Sequence, residues 1–217
     1  MIKAVLFDLD GTLADTAPDL TYALNRVRGL RGLPPLPLAA TRPVASQGAR
    51  GLIGAGFSIH PGDPGYDALR DEFLAVYAEN LYRETRLFAG IPELLDRLEA
   101  RALPWGVVTN KAERFTLALL EQLGLARCFE QVIAGDTLPQ KKPDPQPLLH
   151  ACRGFAIPPA DMLMIGDSAN DVEAAHAAGC PVFCVDYGYN EGRDVRELDV
   201  DAIVASLIEA TRLIQKA

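Results

Sequence analysis

The sequence predicts an α/β protein, a parallel sheet interrupted by an inserted helical block. Three observations predict it. Short, flat apolar runs recur along the chain, a helical pattern precedes each of the later ones, and one stretch of about 70 residues breaks the alternation. The first run, Ala4-Val5-Leu6-Phe7, stops at Asp8. It is too short for a helix and shows no alternation, so it reads as a strand buried on both faces. Four runs of the same kind follow: Trp105–Val108, 132–134, 162–165 and 181–185.

The helical patterns fall where parallel crossovers need them. Leu94, Leu95, Leu98 and Leu103 lead into the second run. Phe115, Leu119, Leu120 and Leu123 lead into the third, with Gly124 as the stop. Leu148, Leu149 and Cys152 precede the fourth run; Val172, Ala175, Ala178 and then Gly179 precede the fifth. After Val185 the segment 188–199 is polar, and Ile203, Leu207, Ile208 and Leu213 suggest a closing helix.

Residues from about Asp15 to Phe88 are different. Thr16 and Pro18 mark a helix start, with Leu20, Ala23, Leu24, Val27 and Leu30 at helical spacing. A proline-rich turn at 33–37 follows, then a second stripe of Leu69, Phe73, Val76, Tyr77 and Leu81. Aromatic positions in these stripes read as packing inside the block. A βα connection of this length is an insertion, so the expected organisation is a core of residues 1–14 and 89–217 and a cap of residues 15–88.

Composition limits the function. Apolar residues make up 49% and charged residues 23%, which excludes a disordered or fibrous chain. A net charge of −8 argues against nucleic acid and anionic membranes as partners, because both demand a basic surface. No apolar stretch is long enough to span a bilayer. Asp8 and Asp10 interrupt the early apolar run, so no signal peptide is expected and the chain reads as cytoplasmic. Cys128, Cys152, Cys180 and Cys184 form no CxxC pair and read as reduced thiols; Cys180 and Cys184 share a parity that would put both on one strand face. His60, His150 and His176 lack metal-ligand spacing. The oligomeric state is not legible.

Ligands of open parallel sheets bind at the carboxyl ends of the strands. There the sequence places Asp8-Leu9-Asp10-Gly11-Thr12, Thr109-Asn110-Lys111, Lys141-Lys142-Pro143-Asp144-Pro145 and Gly166-Asp167-Ser168-Ala169-Asn170-Asp171. Asp8, Asp10 and Asp167 brought together repel unless a cation intervenes, and hard oxygen ligands suit Mg²⁺. Beside such a cation, a lysine and a threonine, a carboxylate can attack phosphorus. A second carboxyl two residues on can protonate the leaving oxygen and then deprotonate water.

These segments resemble the motifs of the haloacid dehalogenase superfamily over nearly the whole chain. The resemblance implies a Rossmann-like core with a helical cap. It makes Asp8 the nucleophile and a Mg²⁺ ligand, and Asp10 the general acid/base whose backbone carbonyl also binds the metal. Thr109 and the amide of Asn110 would hold the phosphoryl group. Lys142, with Lys141 as the competing assignment, would neutralise the nucleophile and the phosphate. Asp167 would complete the metal shell with Asp171 supporting it, Gly11 would turn the chain, and Thr12 would anchor that turn. An acid at the Asp10 position favours phosphate esters over halides, since a halide leaves without a proton. A receiver-type signalling domain uses similar residues, but such domains are about half this length and lack the insert.

The substrate reading rests on the insert. Ser46-Gln47-Gly48-Ala49-Arg50-Gly51 is either a ligand-approaching turn in which Arg50 grips a second anionic group, or a helix start capped by Ser46 with Arg50 in solvent. The chain is similar to phosphoglycolate phosphatases in Asp15-Thr16 and the Lys142-Pro143-Asp144-Pro145 run, yet lacks their Gly-Asn-Gly cap turn. That departure, with residues 105–111 and 187–189, resembles N-acetylmuramic acid 6-phosphate phosphatases. Both substrates are small phosphorylated metabolites carrying a carboxylate. Phosphoryl transfer within a sugar phosphate, as in a β-phosphoglucomutase, is the third option.

Overall fold

A computed structural model describes residues 1–126 and 129–214, with side chains given up to residue 210. Cys128 therefore lies outside the described residues. Chain order begins with β1 (Ala4–Phe7), the short β2 (Ala14–Asp15) and four helices: α1 (Ala17–Gly29), α2 (Leu38–Thr41), α3 (Gly48–Phe57) and α4 (Tyr66–Glu79). The chain returns through β3 (Arg86–Leu87), which pairs antiparallel with β2. It then alternates: α5 (Ile91–Glu99), β4 (Trp105–Val108), α6 (Glu113–Gln122), β5 (Gln131–Ile133), α7 (Gln146–Phe155), β6 (Met162–Gly166), α8 (Ala169–Ala178), β7 (Val182–Val185), β8 (Ala202–Val204) and α9 (Leu207–Ile214).

The main sheet is parallel throughout, in the order β5-β4-β1-β6-β7-β8. Its strands are apolar without alternation because both faces are covered. Val5, Phe7, Val107 and Ile165 pack with α5, α6 and α9 on one face; Leu6, Val108, Met164 and Val182 pack with α7 and α8 on the other. Phe7 meets Trp105 edge-on at 5.8 Å. Buried Cys152 and Cys180 belong to the second layer and, like Cys184, are free thiols. Cys180 precedes β7 rather than lying on it. Among the described residues no helix is long and apolar enough to cross a membrane.

Three elements differ from the sequence expectation. Ile203 belongs to a sixth strand, and the closing helix starts only at Leu207. A three-residue edge strand flanked by Asp199 and Asp201, with Ile203 37% exposed, leaves no periodicity to read. Helix α3 starts where a helix start was one of the two readings, but Ser46 does not cap it and its glycines left its extent to Phe57 unread. Gly56 is needed because a Cβ there would meet Leu24 of α1 at 2.7 Å. Leu81 falls just beyond the end of α4.

Helices α1, α3 and α4 share a cluster centred on Leu24, Leu52, Ile53, Phe73 and Tyr77. A buried carboxylate latches the chain's exit from this block. Asp19 in the first turn of α1 accepts from the amides of Arg83 (2.9 Å), Glu84 (2.9 Å) and Thr85 (3.0 Å) and from the Thr85 hydroxyl (2.7 Å). Asp19→Ala strands these donors. The expected loss is about 3 kcal/mol of stability, read as a lower urea midpoint at unchanged m-value; a loss below about 1 kcal/mol would mean the amides find other acceptors.

Candidate active site

Strand order puts the switch point at β1, which pairs with β4 on one side and β6 on the other. Asp8 follows β1 and donates its amide to Ile165 at 2.9 Å. Thr109 follows β4 and Asp167 follows β6. The sheet thus brings together three sequence-distant segments, and the loop carrying Lys142 closes over them. Asp8, Asp167 and Asp171 are all buried, with one oxygen of each within 4.8 Å of the others.

Lys142 Nζ lies 3.0 Å from Asp8 Oδ1 and 2.6 Å from Asp171 Oδ1, and donates to the Val108 carbonyl at 2.6 Å. Lys141 is exposed. Asp171 is fully engaged: its Oδ2 accepts from the amides of Asp167 (3.2 Å) and Ser168 (3.1 Å) and from the Ser168 hydroxyl (2.7 Å), a capping box for α8. Asp167 Oδ2 accepts from the Tyr189 amide (2.7 Å) and the Ser46 hydroxyl (3.2 Å). Ser46 therefore caps no helix. Gly11, at φ +85°, leaves the room that Asp167 takes, since a Cβ there would sit 2.8 Å from its Cγ.

Asp10 stands apart from this cluster. Both its oxygens lie 3.0 Å from Lys111 Nζ, and Oδ1 accepts from the Thr16 hydroxyl at 2.5 Å. Asn110 Nδ2 donates to the Lys142 carbonyl at 2.8 Å, and the Thr109 hydroxyl accepts from the Lys111 amide at 3.2 Å. The Thr12 hydroxyl is buried without a partner; its carbonyl, instead, accepts from Tyr187 Oη at 2.9 Å. Arg50 is exposed in the first turn of α3, away from the acidic cluster.

Sequence reasoning gave no role to Lys111 or Tyr189 and offered Ser46 only as a helix cap or part of a ligand-approaching turn. Lys111 sat visibly beside Thr109 and Asn110. Tyr189 offered no local signal, because its partners are more than 170 positions away: its hydroxyl accepts from the amides of Thr16 (2.7 Å) and Ala17 (2.8 Å) and donates to Asp15 (3.0 Å).

Three buried carboxyls face one ammonium, so full ionisation would leave two negative charges in excess. Burial pushes Asp8 up to about 6, with Asp171 and Asp10 adding to the rise and Lys142 opposing it. Burial, Asp8 and Asp171 hold Asp167 well above the usual carboxylate range. Burial disfavours the Lys142 ammonium, but Asp171 and Asp8 outweigh it and raise its pKa; Asp10 and then Tyr77 do the same for Lys111. Asp167 Oδ1 is buried and accepts no hydrogen bond, and Asp8 Oδ1 has only the Lys142 ammonium beside it. An all-oxygen set with an open acceptor on Asp167, and carboxyls that burial and mutual repulsion push towards protonation, fits a small divalent cation such as Mg²⁺.

Two neighbouring spaces, which share Asp10, Lys111 and Lys142 in their walls, border these groups. The first, about 20 Å³, is lined by Asp8, Asp10, Thr109, Lys142 and neighbours and has room for roughly one water-sized group. The second, about 440 Å³, runs from Asp10 and Lys111 towards α3 and α4.

Known proteins resemble this chain over nearly its whole length. Residues 2–179 match the family model of haloacid dehalogenase-like hydrolases, and the chain belongs to that family. It is 51% identical over 220 residues to the phosphoglycolate phosphatase of Nitrosospira multiformis, spanning 100% of this chain and 97% of that protein. It is also 39% identical over 217 residues to the N-acetylmuramic acid 6-phosphate phosphatase of Pseudomonas putida, again 100% of this chain and 97% of the relative. The crystal structure of a predicted phosphoglycolate phosphatase from Haemophilus somnus 129PT matches with TM-score 0.89 at 30% identity, covering 98% of this chain and 97% of that one.

A carboxyl raised to about 6 takes up a proton on folding, so its contribution to apo-protein stability falls as pH rises from the ordinary carboxylate range through about 6. A bound cation expels that proton. Mg²⁺ is therefore expected to raise the melting temperature by several degrees at about pH 7.5 and much less at about pH 5. Equal stabilisation at both pH values, or none, would remove the cluster as a cation site.

Proposed function

We propose that this chain hydrolyses the phosphate monoester of a small, carboxylate-bearing metabolite with Mg²⁺, through an aspartyl-phosphate on Asp8. Substrates of the phosphoglycolate or N-acetylmuramic acid 6-phosphate type fit the reading. The observation that carries it is the buried set Asp8, Lys142, Asp171 and Asp167, of which Asp8 and Lys142 border a small polar space together with Asp10, Thr109 and Asn110. The full-length relatives named as phosphatases support it.

Asp8 and Asp167, with the Asp10 carbonyl, would hold the metal, and Asp171 would keep Lys142 and Asp167 in place. When bound, Mg²⁺ supplies charge neutralisation at the phosphoryl oxygens. Asp8 attacks phosphorus while Lys142 screens the approaching dianion. The Thr109 hydroxyl and the Asn110 amide orient the phosphoryl oxygens. Asp10 borders both cavities, so it can reach the ester oxygen between the phosphoryl group and the body of the substrate. It donates a proton there, then takes one from the water that opens the acyl phosphate. Residues 15–88 act as the cap and 1–14 with 89–217 as the core, joined at the β2–β3 pair. The cap excludes water, and Arg50 meets the carboxylate.

Asp8→Asn is expected to keep its fold by circular dichroism and lose turnover by about a thousandfold or more. Near wild-type turnover would remove Asp8 as nucleophile. In H₂¹⁸O the released phosphate should gain label, whereas transfer within the substrate would leave the phosphoryl group unlabelled.

A further inference from the structure

The larger cavity extends well past the acidic cluster. Its volume of about 440 Å³ has room for on the order of 15 water-sized groups, and lies in the range of small-molecule sites. The two-carbon body of a glycolate would fill a minor part of it.

Its walls carry charge that the phosphoryl chemistry leaves unused. Arg70 is neutralised by Asp67 (2.7 Å) and Asp71 (2.8 Å). Arg50 from α3 and Arg114 from α6 line the cavity, and neither has a carboxylate partner among the described residues. Arg114 instead lies over the Phe115 ring, 4.5 Å from its centroid. The N-terminal turn of α3, with Gly48 and Ala49, borders the same space and has no side-chain cap on its amides. In a chain of net charge −8, two uncommitted guanidinium groups facing one cavity make a local positive field.

A second observation is independent of charge. Tyr77 lines this cavity, is 1% exposed and packs against Phe115 at 5.4 Å; Lys111 Nζ lies 4.8 Å from its ring centroid, yet the buried hydroxyl makes no well-aligned hydrogen bond. A buried hydroxyl left unpaired costs about 1–3 kcal/mol, which a ligand acceptor would recover.

The geometry points to a specificity subsite for a second anionic group, formed by Arg50, Arg114 and the Tyr77 hydroxyl, that selects sugar-sized phosphate esters over phosphoglycolate. The inference rests on the phosphatase reading above. One guanidinium comes from the inserted block and one from the sheet side, so a ligand reaching both bridges the two. A neutral sugar phosphate leaves both unpaired, and a two-carbon acid leaves the tyrosine hydroxyl unmet.

The test measures kcat/KM with Mg²⁺ for N-acetylmuramic acid 6-phosphate, N-acetylglucosamine 6-phosphate, glucose 1,6-bisphosphate, 2-phosphoglycolate and p-nitrophenyl phosphate. Wild type is expected to favour an anion-bearing sugar ester over both the neutral ester and phosphoglycolate by about tenfold or more. The acid and the bisphosphate arms separate a carboxylate from a second phosphate. Arg114→Ala should lower the anionic-to-neutral ratio about tenfold and Tyr77→Phe severalfold, with circular dichroism checking the fold of each. Phosphoglycolate equal to or better than every sugar ester, or a ratio unmoved in both variants, overturns the subsite alone. No turnover of any ester, p-nitrophenyl phosphate included, overturns the phosphatase reading and the subsite with it.

Discussion

Like charges held together without water set the terms for the rest of this molecule. At an effective dielectric near 20, two carboxylates about 4 Å apart repel by roughly 4 kcal/mol, and here three crowd one rim. No single helix or turn could hold them. The parallel sheet can, because β1 pairs with both β4 and β6 and fixes the ends of these strands side by side. Backbone amides of Ser168 and Tyr189, the Ser46 hydroxyl and Lys142 then hold the acids at close range. What they leave without a partner is one buried oxygen of Asp167.

The inserted helices are tied into the same network. Tyr189 gives its amide to Asp167 and, through its hydroxyl, receives the first amides of α1 and donates to Asp15. Arg42 pairs with Asp15 at 3.0 Å and lies over the Tyr189 ring. Thr16, the residue before α1, reaches Asp10, while Lys111 touches both Asp10 and the face of Tyr77 in α4. Movement of the block would thus be felt at Asp10 before it is felt at Asp8.

The parts legible in the sequence were those with a local cause. Strands buried on both faces must be apolar without alternation, so four-residue runs such as Ala4–Phe7 announce themselves. Charged residues directly beyond such runs stand out for the same reason. The rest depends on distance. The extent of helix α3 was not legible because its glycines break the apolar stripe, and the close approach to Leu24 of α1 that Gly56 serves is created only by the fold. Strand β8 owes its existence to β7 alone. Tyr189 reads as one aromatic among six tyrosines, and Ser46 as a helix cap, until the chain returns Asp167 to them. Lys111 was visible but roleless, since nothing local says that its partner is Asp10, 101 positions away.

Two carboxylates two residues apart are given different work by different partners. Asp8 borders only the small space and faces Lys142, a lysine that Asp171 also holds. Asp10 borders both spaces and faces Lys111 and Thr16. A group bound in the small space therefore meets Asp8 from one side, and the atom joining it to a larger body meets Asp10. Separate lysines let the charge at one carboxylate change without unpairing the other. An acidic protein can accept an anion under these conditions because each acid near the ligand already has its own counter-ion or an open oxygen for a metal. Arg50 and Arg114, which line the larger space, have no carboxylate partner among the described residues.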